Sequence, residues 1–439
     1  MKVYFISLGC DKNLVDSEVM LGLLQNAGHT LAEDIEDADA AVVNTCCFIS
    51  DAKEESINTV LSLAAKRADG SLTRLVVAGC LAQRYAAEIR EQIPEVDAVV
   101  GTASYEDIVA ALTAEGSYES LKPLSYLPSP EVPRAITAGN YVSYLKIAEG
   151  CDKGCTYCII PKIRGPYRSY PMERLTAEAE RLAAAGTREL ILVAQETTRY
   201  GIDLYGEKKL AELVTRLCRI PNLTWIRIQY CYPEEIDDAL IRVMATEPKV
   251  CRYLDMPIQH ASDTVLRRMG RKTRRAEIEA MIARLRAEVP GIVLRTTMIT
   301  GFPGETEEEF AELLDFVGKM RFERLGCFAY SKEEGTAAAA MKGQVPARVK
   351  ERRRKAVMKL QRDICSAYSE SLVGRTLPVI TDGFLPEEGV FTGRTAGDAP
   401  TVDGAVFFEG PSSLLSGDIV PVRITAACEY DLTGEVADE

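Results

Sequence analysis

Two histidines and one tryptophan are all that 439 residues hold of those side chains. His29 and His260 cannot build a histidine-rich metal site, so any metal chemistry here would rest on thiolates, which favour zinc or iron–sulfur. Long hydrophobic runs are missing too. The longest apolar stretches, residues 3–8 and 190–194, have strand length, far short of the about 20 residues a membrane-spanning helix needs. The first ten residues lack a secretory pattern, because Asp11, Lys12 and Asn13 break a short apolar run that carries one lysine. A cytoplasmic location with no membrane partner is the expectation. There is no excess of basic charge: 52 Lys and Arg face 65 Asp and Glu, for a net charge of −13. That balance argues against a nucleic acid as substrate and for a basic protein partner. With 47% hydrophobic and 27% charged residues, the composition is globular and excludes chain-wide disorder.

What is abundant is cysteine, with thirteen. In a reducing cytosol, an odd number in a long chain is not a disulfide framework. Some of these thiols should hold metal, do redox chemistry or fill core.

The chain alternates strand-like and helix-like runs. Residues 2–9 (KVYFISLG), 40–45 (AAVVNT), 74–79 (RLVVAG) and 98–101 read as strands. Residues 16–27, 52–68 and 82–92 read as helices. Continuous apolar strands between helices imply βαβ units and a parallel sheet, so residues 1–117 form a small open α/β domain. Residues 118–136, with their prolines, suit an extended linker. Residues 137–368 repeat the pattern on a larger scale, with strands expected at 141–148, 189–194, 225–230, 253–258, 292–299 and 324–330. Six βα units fit a partial, splayed (β/α)6 barrel. A basic helix follows at 347–372; its RVKERRRK run reads either as a solvated face or as a nucleic-acid patch. Residues 369–439 hold β-like runs broken by Gly, Pro and Asp, expected as a small antiparallel barrel. From Gly374 onward it has three arginines against twelve carboxylates, a net −9, which would repel a phosphate backbone and suit a cationic protein loop.

Two cysteine constellations stand out. Cys151, Cys155 and Cys158 are spaced C-x3-C-x2-C just after the first strand of the partial barrel. Three thiolates on one loop can clamp a metal cluster and leave one position open, whereas structural zinc sites recruit four protein ligands; a zinc knuckle is the alternative. Functional sites of barrel folds gather at this carboxyl end of the strands. Cys10, Cys46 and Cys80 are far apart in sequence, yet each directly follows a predicted parallel strand: ISLGC, VVNTC, VVAGC. Strands of one parallel sheet end on one edge, so these thiols should converge where open α/β sheets place ligands. A second three-cysteine cluster site is one reading and core cysteines the other. Cys218, Cys231, Cys251, Cys327, Cys365 and Cys428 follow no pattern and read as packing residues.

The three-cysteine loop followed by six βα units resembles the radical S-adenosylmethionine superfamily. The stretches Gly9–Glu18 (GCDKNLVDSE), Asn44-Thr45-Cys46 and Gly79–Tyr85 (GCLAQRY) resemble the methylthiotransferase family within it, over essentially the whole chain. The resemblance implies that Cys151, Cys155 and Cys158 bind a four-iron–four-sulfur cluster whose open iron chelates S-adenosylmethionine and cleaves it to a 5′-deoxyadenosyl radical. It implies a second four-iron–four-sulfur cluster on Cys10, Cys46 and Cys80, both clusters facing one cavity, and a C-terminal TRAM domain, an OB-like barrel. Tyr157 resembles the aromatic residue that lies near the adenine. Gln195, ending the second barrel strand, would accept from the amino group of the methionine moiety. Asp255 and Gln259, ending the fourth, would bind the ribose or belong to a buried polar network.

Lys12-Asn13, Phe48-Ile49 and Ala52–Ser56 resemble the branch that modifies an aspartate of small-subunit ribosomal protein twelve. That protein, free or in the ribosome, is the implied partner, with a reductant such as flavodoxin or ferredoxin. The tRNA-modifying branch and a non-catalytic metal-binding scaffold on the ribosome are the competing readings. Two positions depart from the family pattern. Cys47 stands where the branch usually has Gly, as an alternative ligand, a redox liability or an inert substitution, and Tyr170 stands where the family usually has Arg. Gly301–Glu305 should form a tight turn, Thr306 and Glu309 a capping box, Thr197 a helix cap, and His260 should be structural.

Overall fold

In the computed structural model, the described residues are 1–129, 132–137, 139 and 141–437. The first sheet contains β1 (Lys2–Ser7), β2 (Thr30–Leu31), β3 (Ala40–Thr45), β4 (Arg74–Gly79), β5 (Ala98–Val100) and β6 (Tyr118–Ser120), in the order β2-β1-β3-β4-β5-β6. Every pairing in it is parallel. Strands β3 and β4 are buried along their whole length, which is why they read as unbroken apolar runs rather than alternating ones. Their side chains divide between the two faces. Val43, Leu75 and Val77 pack under α2 (Ser50–Ala68) and α3 (Cys80–Gln92), whereas Val42, Val76 and Ala78 pack under α1 (Asp11–Asn26) and the helix Ile108–Thr113.

The edge strands β2 and β6 carry no apolar run and escape a reading based on one. The stretch expected as linker therefore opens inside the sheet, at β6. Its later part is strapped down: the Glu18 carboxylate on α1 accepts from Arg134 Nε at 2.8 Å and from the Thr137 backbone N–H at 2.8 Å, while Arg134 also reaches Glu178 of the second sheet's layer at 2.9 Å. A Cβ on Gly22 would sit 2.7 Å from the Pro133 carbonyl oxygen, so α1 is docked against this segment at backbone contact.

The second sheet is also all parallel and runs in chain order from β7 (Val142–Lys146) through β10 (Glu189–Val193), β11 (Trp225–Ile228), β12 (Val250–Asp255) and β13 (Val293–Thr300) to β14 (Arg324–Ala329). All six expected strands are present and the sheet stays open. The fourth lies three residues earlier than expected, because Pro257 has no N–H to give the ladder; beyond it only an isolated bridge, Gln259 with Met298, resumes the pairing. A two-stranded antiparallel pair, β8 (Ala148–Glu149) with β9 (Arg168–Ser169), brackets the Cys151–Cys158 loop; two residues per strand leave no signal in a sequence.

The helix Ala347–Glu370 packs Val357 and Ile364 into the second core. Its basic run is neutralised from its own surface: Arg353 is buried and pairs with Glu305 at 2.9 Å, Arg352 with Glu307 at 2.7 Å, and Arg354 with Glu351 at 2.7 Å. The last five strands, β15 (Thr376–Leu385), β16 (Val390–Thr395), β17 (Val406–Glu409), β18 (Ile419–Cys428) and β19 (Asp431–Val436), close a barrel in the order β15-β16-β17-β19-β18. The expected antiparallel barrel is present: four of its five pairings are antiparallel, and β17 and β19 pair in parallel. The barrel seats against the amino-terminal end of the second sheet, where Ile380 and Ala399 meet Trp225, Tyr253 and Val293. Glu189 accepts from Arg227 of that sheet and from Arg394 of the barrel, each at 2.7 Å. Losing one partner of so buried a group costs about 3–5 kcal/mol. Of the six unpatterned cysteines, Cys231, Cys251, Cys327 and Cys365 are buried; Cys218 is half-buried and Cys428 is exposed at the end of β18, so packing does not explain the last.

Among the described residues, no helix is long and apolar enough to cross a membrane.

Candidate functional site

The three scattered cysteines meet at the carboxyl edge of the first sheet. Cys10 is the N-cap of α1, Cys46 follows β3, and Cys80 opens α3. Gly9 and Gly79 precede two of them at φ +95° and +88°, a region closed to most side chains. A Cβ on Gly9 would lie 3.0 Å from Cys46 Sγ, and one on Gly79 would lie 2.2 Å from Asn44 Oδ1. The missing side chains let the strand ends crowd together. Ser56 of α2 clamps Cys46, accepting from its N–H at 3.0 Å and donating to its carbonyl at 2.8 Å. Asn44 donates to the Asn13 carbonyl at 2.9 Å and to Ser17 Oγ at 2.8 Å. Burial raises the Cys46 and Cys80 thiols, with the Arg164 guanidinium opposing it. Cys47 points into the apolar core, fully buried, its thiol pushed up to about 12 by burial. That placement suits an inert substitution.

The second set sits on the loop after β8. Gly150, at φ +78°, brings the chain so close that a Cβ would lie 2.0 Å from the Pro166 carbonyl oxygen. Cys151 N–H donates to the Gly165 carbonyl at 3.1 Å and Thr156 N–H to that of Met269 at 2.9 Å. Burial pushes Cys151 up to about 11 and Cys158 up to about 12, and the neighbouring thiols add to both. Such thiols ionise when a metal replaces the proton. Cys155 Sγ lies 3.8 Å from Tyr232 Oη. Among the described residues, no three His, Cys, Asp or Glu side chains are drawn tightly enough around one point to hold a single metal ion.

A buried charge network joins the two sets. Arg164 donates to Asp16 at 2.6 Å and Glu149 at 3.2 Å, to Asn13 Oδ1 at 3.0 Å, and lies 3.6 Å from Cys80 Sγ. Lys146 pairs with Glu149 at 2.8 Å and with Asp16. Glu149 stands two residues before Cys151. Burial alone would raise its carboxyl, but Lys146 and Arg164 hold it well below the usual carboxylate range. Gln195 Nε2 donates to the same carboxylate at 2.9 Å, and its Oε1 is buried without a partner. None of Arg164, Glu149, Lys146 and Asp16 was singled out in the sequence; the only local hint is that Glu149 and Arg164 flank the cysteine loop.

The other expected residues are distributed around the same end of the second sheet. Tyr157 packs against the apolar cluster of Val265, Met269, Phe302, Tyr330 and Ala338, beside the turn at Gly301–Glu305. Asp255 is committed, accepting from Arg295 at 2.9 Å and from the Tyr230 N–H at 3.1 Å, which is the buried-network alternative. Gln259, at φ +77°, makes no side-chain hydrogen bond among the described residues. The Thr306–Glu309 capping box forms, but Glu196, not Thr197, caps its helical turn. Burial raises the Glu196 carboxyl to about 7, with Lys153 3.8 Å away. Burial pushes His260 down to about 3, and its Nδ1 accepts from the Ser262 N–H at 3.0 Å; it is a neutral structural residue. Tyr170 is buried under the Arg174 guanidinium, 4.2 Å from ring to Cζ. Arg271 was missed: it stacks on Tyr232 and keeps Nε and Nη1 buried without partners.

Three family models match the chain in tandem: the uncharacterized protein family UPF0004 over residues 2–101, the radical SAM superfamily over 145–317 and the TRAM domain over 373–437. The radical S-adenosylmethionine methyltransferase TsrM from Kitasatospora setae shares the fold, with a TM-score of 0.52 at 15% identity over 74% of this chain and 73% of that one. The protein is thus a radical SAM enzyme, a class that uses S-adenosylmethionine and a four-iron–four-sulfur cluster. A ribosomal protein uS12 methylthiotransferase RimO from Lachnoclostridium phytofermentans is 57% identical over 99% of both chains, and one from Pelotomaculum thermopropionicum is 50% identical over 99% of both. The chain belongs to the RimO family of methylthiotransferases.

Proposed function

We propose that this chain adds a methylthio group to the β-carbon of an aspartate in ribosomal protein uS12, using S-adenosylmethionine and two four-iron–four-sulfur clusters. One observation carries the reading: the buried Arg164 reaches from Cys80 of one three-thiol set to Glu149, two residues before Cys151 of the other. Cys151, Cys155 and Cys158 would hold one cluster, and Cys10, Cys46 and Cys80 the other. The donors fit such groups. Each set has three soft thiols and, among the described residues, no evident fourth protein ligand, the glycines at 9, 79 and 150 let the thiol-bearing segments pack closely against their neighbours, and Gln195 keeps an unpartnered oxygen. When bound, these groups supply radical hydrogen abstraction and a methylated sulfur, the chemistry needed at a carbon whose proton is not acidic.

The chain's own residues orient and enclose. Glu149 and Arg164 tie the cysteine loop to the sheet edge, which sets the separation of the two sets. Gln195 Oε1 would accept from the amino group of the methionine moiety, and the Gln259 amide would serve the ribose. Asp255, with both oxygens engaged, would shape the pocket through Tyr230 and Arg295. Tyr157, packed against the cluster that contains Phe302, would bound the adenine. The barrel suits a basic protein: it carries a net −9 with Phe384 50% and Leu415 71% exposed. Flavodoxin or ferredoxin would deliver the electrons, and the reaction belongs in the cytoplasm. The helix 347–370 supports tRNA binding poorly, since Arg352, Arg353 and Arg354 are already paired.

The test is intact mass of a peptide carrying the uS12 target loop after anaerobic incubation with reconstituted enzyme, reductant and S-adenosylmethionine. One methylthio group in place of a hydrogen is expected. An unchanged peptide beside a methylthiolated tRNA would overturn the substrate assignment.

A further inference from the structure

Where the carboxyl ends of the two sheets meet, one buried cation has no counter-ion. Lys12, in the first turn of α1, is 6% exposed, and among the described residues its ammonium makes no ion pair and no hydrogen bond. Its partner is an aromatic face: Nζ lies 3.2 Å from the centroid of the Tyr230 ring. A cation–π contact recovers only part of what an ammonium loses on leaving water. The neighbouring buried cations are treated differently. Lys146 has both Asp16 and Glu149, Arg164 has the same two, and Lys153 has Glu196, Glu234 and Glu235. Carboxylates are therefore plentiful here, yet among the described residues Lys12 has none within ion-pair distance; Arg271, on the Tyr232 ring, lacks one too but donates to the Pro257 carbonyl at 2.9 Å, whereas the Lys12 ammonium has only the ring. Its neighbour Asp11 engages the hydroxyl of the same ring, accepting from Tyr230 Oη at 3.2 Å, and does not come within ion-pair distance of the Lys12 ammonium.

The platform under Lys12 is held at a cost. Tyr230 adopts φ +60°, a left-handed conformation that a tyrosine enters only when its surroundings impose it. Asp255 imposes it by accepting from the Tyr230 N–H at 3.1 Å, and Arg295 fixes Asp255 at 2.9 Å. Arg295 also lies 3.5 Å from Asp403 of the C-terminal barrel. A chain of polar contacts thus runs from the barrel to the ring on which Lys12 rests. Cys10, two residues before Lys12, is exposed. An ammonium beside a proposed cluster thiol, buried, unpaired and fixed on a strained ring, has the properties of a receptor for a carboxylate that arrives with the substrate.

We propose that Lys12, seated on Tyr230, binds the side-chain carboxylate of the target aspartate and so selects aspartate over its neutral isostere. The inference rests on the substrate reading above. The carboxylate is bonded directly to the β-carbon, so capturing it fixes the carbon that must lose hydrogen and gain sulfur, and it supplies the charge that Lys12 lacks.

The experiment measures dissociation constants, by anaerobic fluorescence anisotropy with reconstituted holoenzyme, for the target-loop peptide and for the same peptide with asparagine at the target position. The unsubstituted enzyme is expected to favour the aspartate peptide by about tenfold or more, the factor a charge-assisted hydrogen bond carries. Lys12→Met should bring the ratio to about one, and Lys12→Arg should restore most of it. Iron content and the electron paramagnetic resonance spectrum of each variant report whether the clusters are intact. A Lys12→Met enzyme that keeps the ratio overturns the proposal, and an altered cluster spectrum with the ratio preserved does so in favour of Lys12 as a cluster counter-charge. Should Lys12→Met fail to hold its clusters, the unsubstituted enzyme and Lys12→Arg still decide: a ratio near one in the unsubstituted enzyme overturns the inference alone. Binding of neither peptide by the unsubstituted enzyme overturns the substrate reading and this inference with it.

Discussion

This molecule carries two sets of three thiols, and they are built in opposite ways. Cys151, Cys155 and Cys158 share one loop of eight residues, so their proximity is local and survives whatever happens to the rest of the sheet. Cys10, Cys46 and Cys80 sit at three separate strand or helix ends, and only the assembled sheet brings them together. The first set is a motif and the second is a consequence of topology. A local set depends on its own backbone turns; a topological set depends on the packing of every strand that contributes to it.

That contrast can be broken from either side. The largest expected effect is from Cys155→Ala, which should abolish both 5′-deoxyadenosine formation and methylthio transfer, read by chromatography of the nucleoside and by peptide mass. Arg164→Met comes next. It strands Asp16 and Glu149 beside Lys146 alone and should lower stability by about 3–5 kcal/mol in denaturant unfolding. The pH dependence follows from Glu149. Its folded carboxyl lies below the ordinary glutamate value of about 4.3, so its stabilisation is complete above that value and is lost as pH falls through the folded one. Removing the guanidinium moves the folded value back up, so the gap between the variant and the unsubstituted protein should be widest near pH 7 and narrow toward pH 4.

Gly79→Ala and Gly154→Ala sharpen the comparison. A Cβ at Gly79 would strike Asn44 Oδ1 and the Thr45 carbonyl at the topological edge, whereas one at Gly154, on the local loop, would meet nothing within 4 Å. The first should cost more than the about 1 kcal/mol that a left-handed φ imposes on alanine, and should deplete the iron bound by the Cys10 set. The second should cost no more than that conformational term and leave iron content unchanged. The smallest effect is expected for Cys47→Ser. It changes one fully buried core sulfur, so it should shift thermal stability modestly and leave iron content and turnover as they were; loss of half the iron would make Cys47 a ligand.

The same contrast explains what could be read from the sequence. The six strands of the second sheet and the four principal strands of the first were legible because buried parallel strands are continuous apolar runs. The convergence of Cys10, Cys46 and Cys80 was legible because each follows such a run directly. Arg164, Glu149, Asp16 and Lys146 were not, because ion pairs between residues as far apart as 16 and 164 leave no periodicity. Tyr230 was equally hidden, since its positive φ is imposed by Asp255 and Arg295 from other strands. The parallel closure of β17 on β19 and the two-residue strands β8 and β9 are set by three-dimensional pairing, with too little sequence to announce them.

The most direct measurement of the two-set account uses Cys10→Ala holoenzyme with the target-loop peptide, S-adenosylmethionine and reductant, and reads peptide mass and 5′-deoxyadenosine from one reaction. The expected result is 5′-deoxyadenosine without methylthiolated peptide, because the loop set is complete while the sheet-edge set has lost one of its three thiols. Methylthiolated peptide at the level given by the unsubstituted enzyme would contradict it.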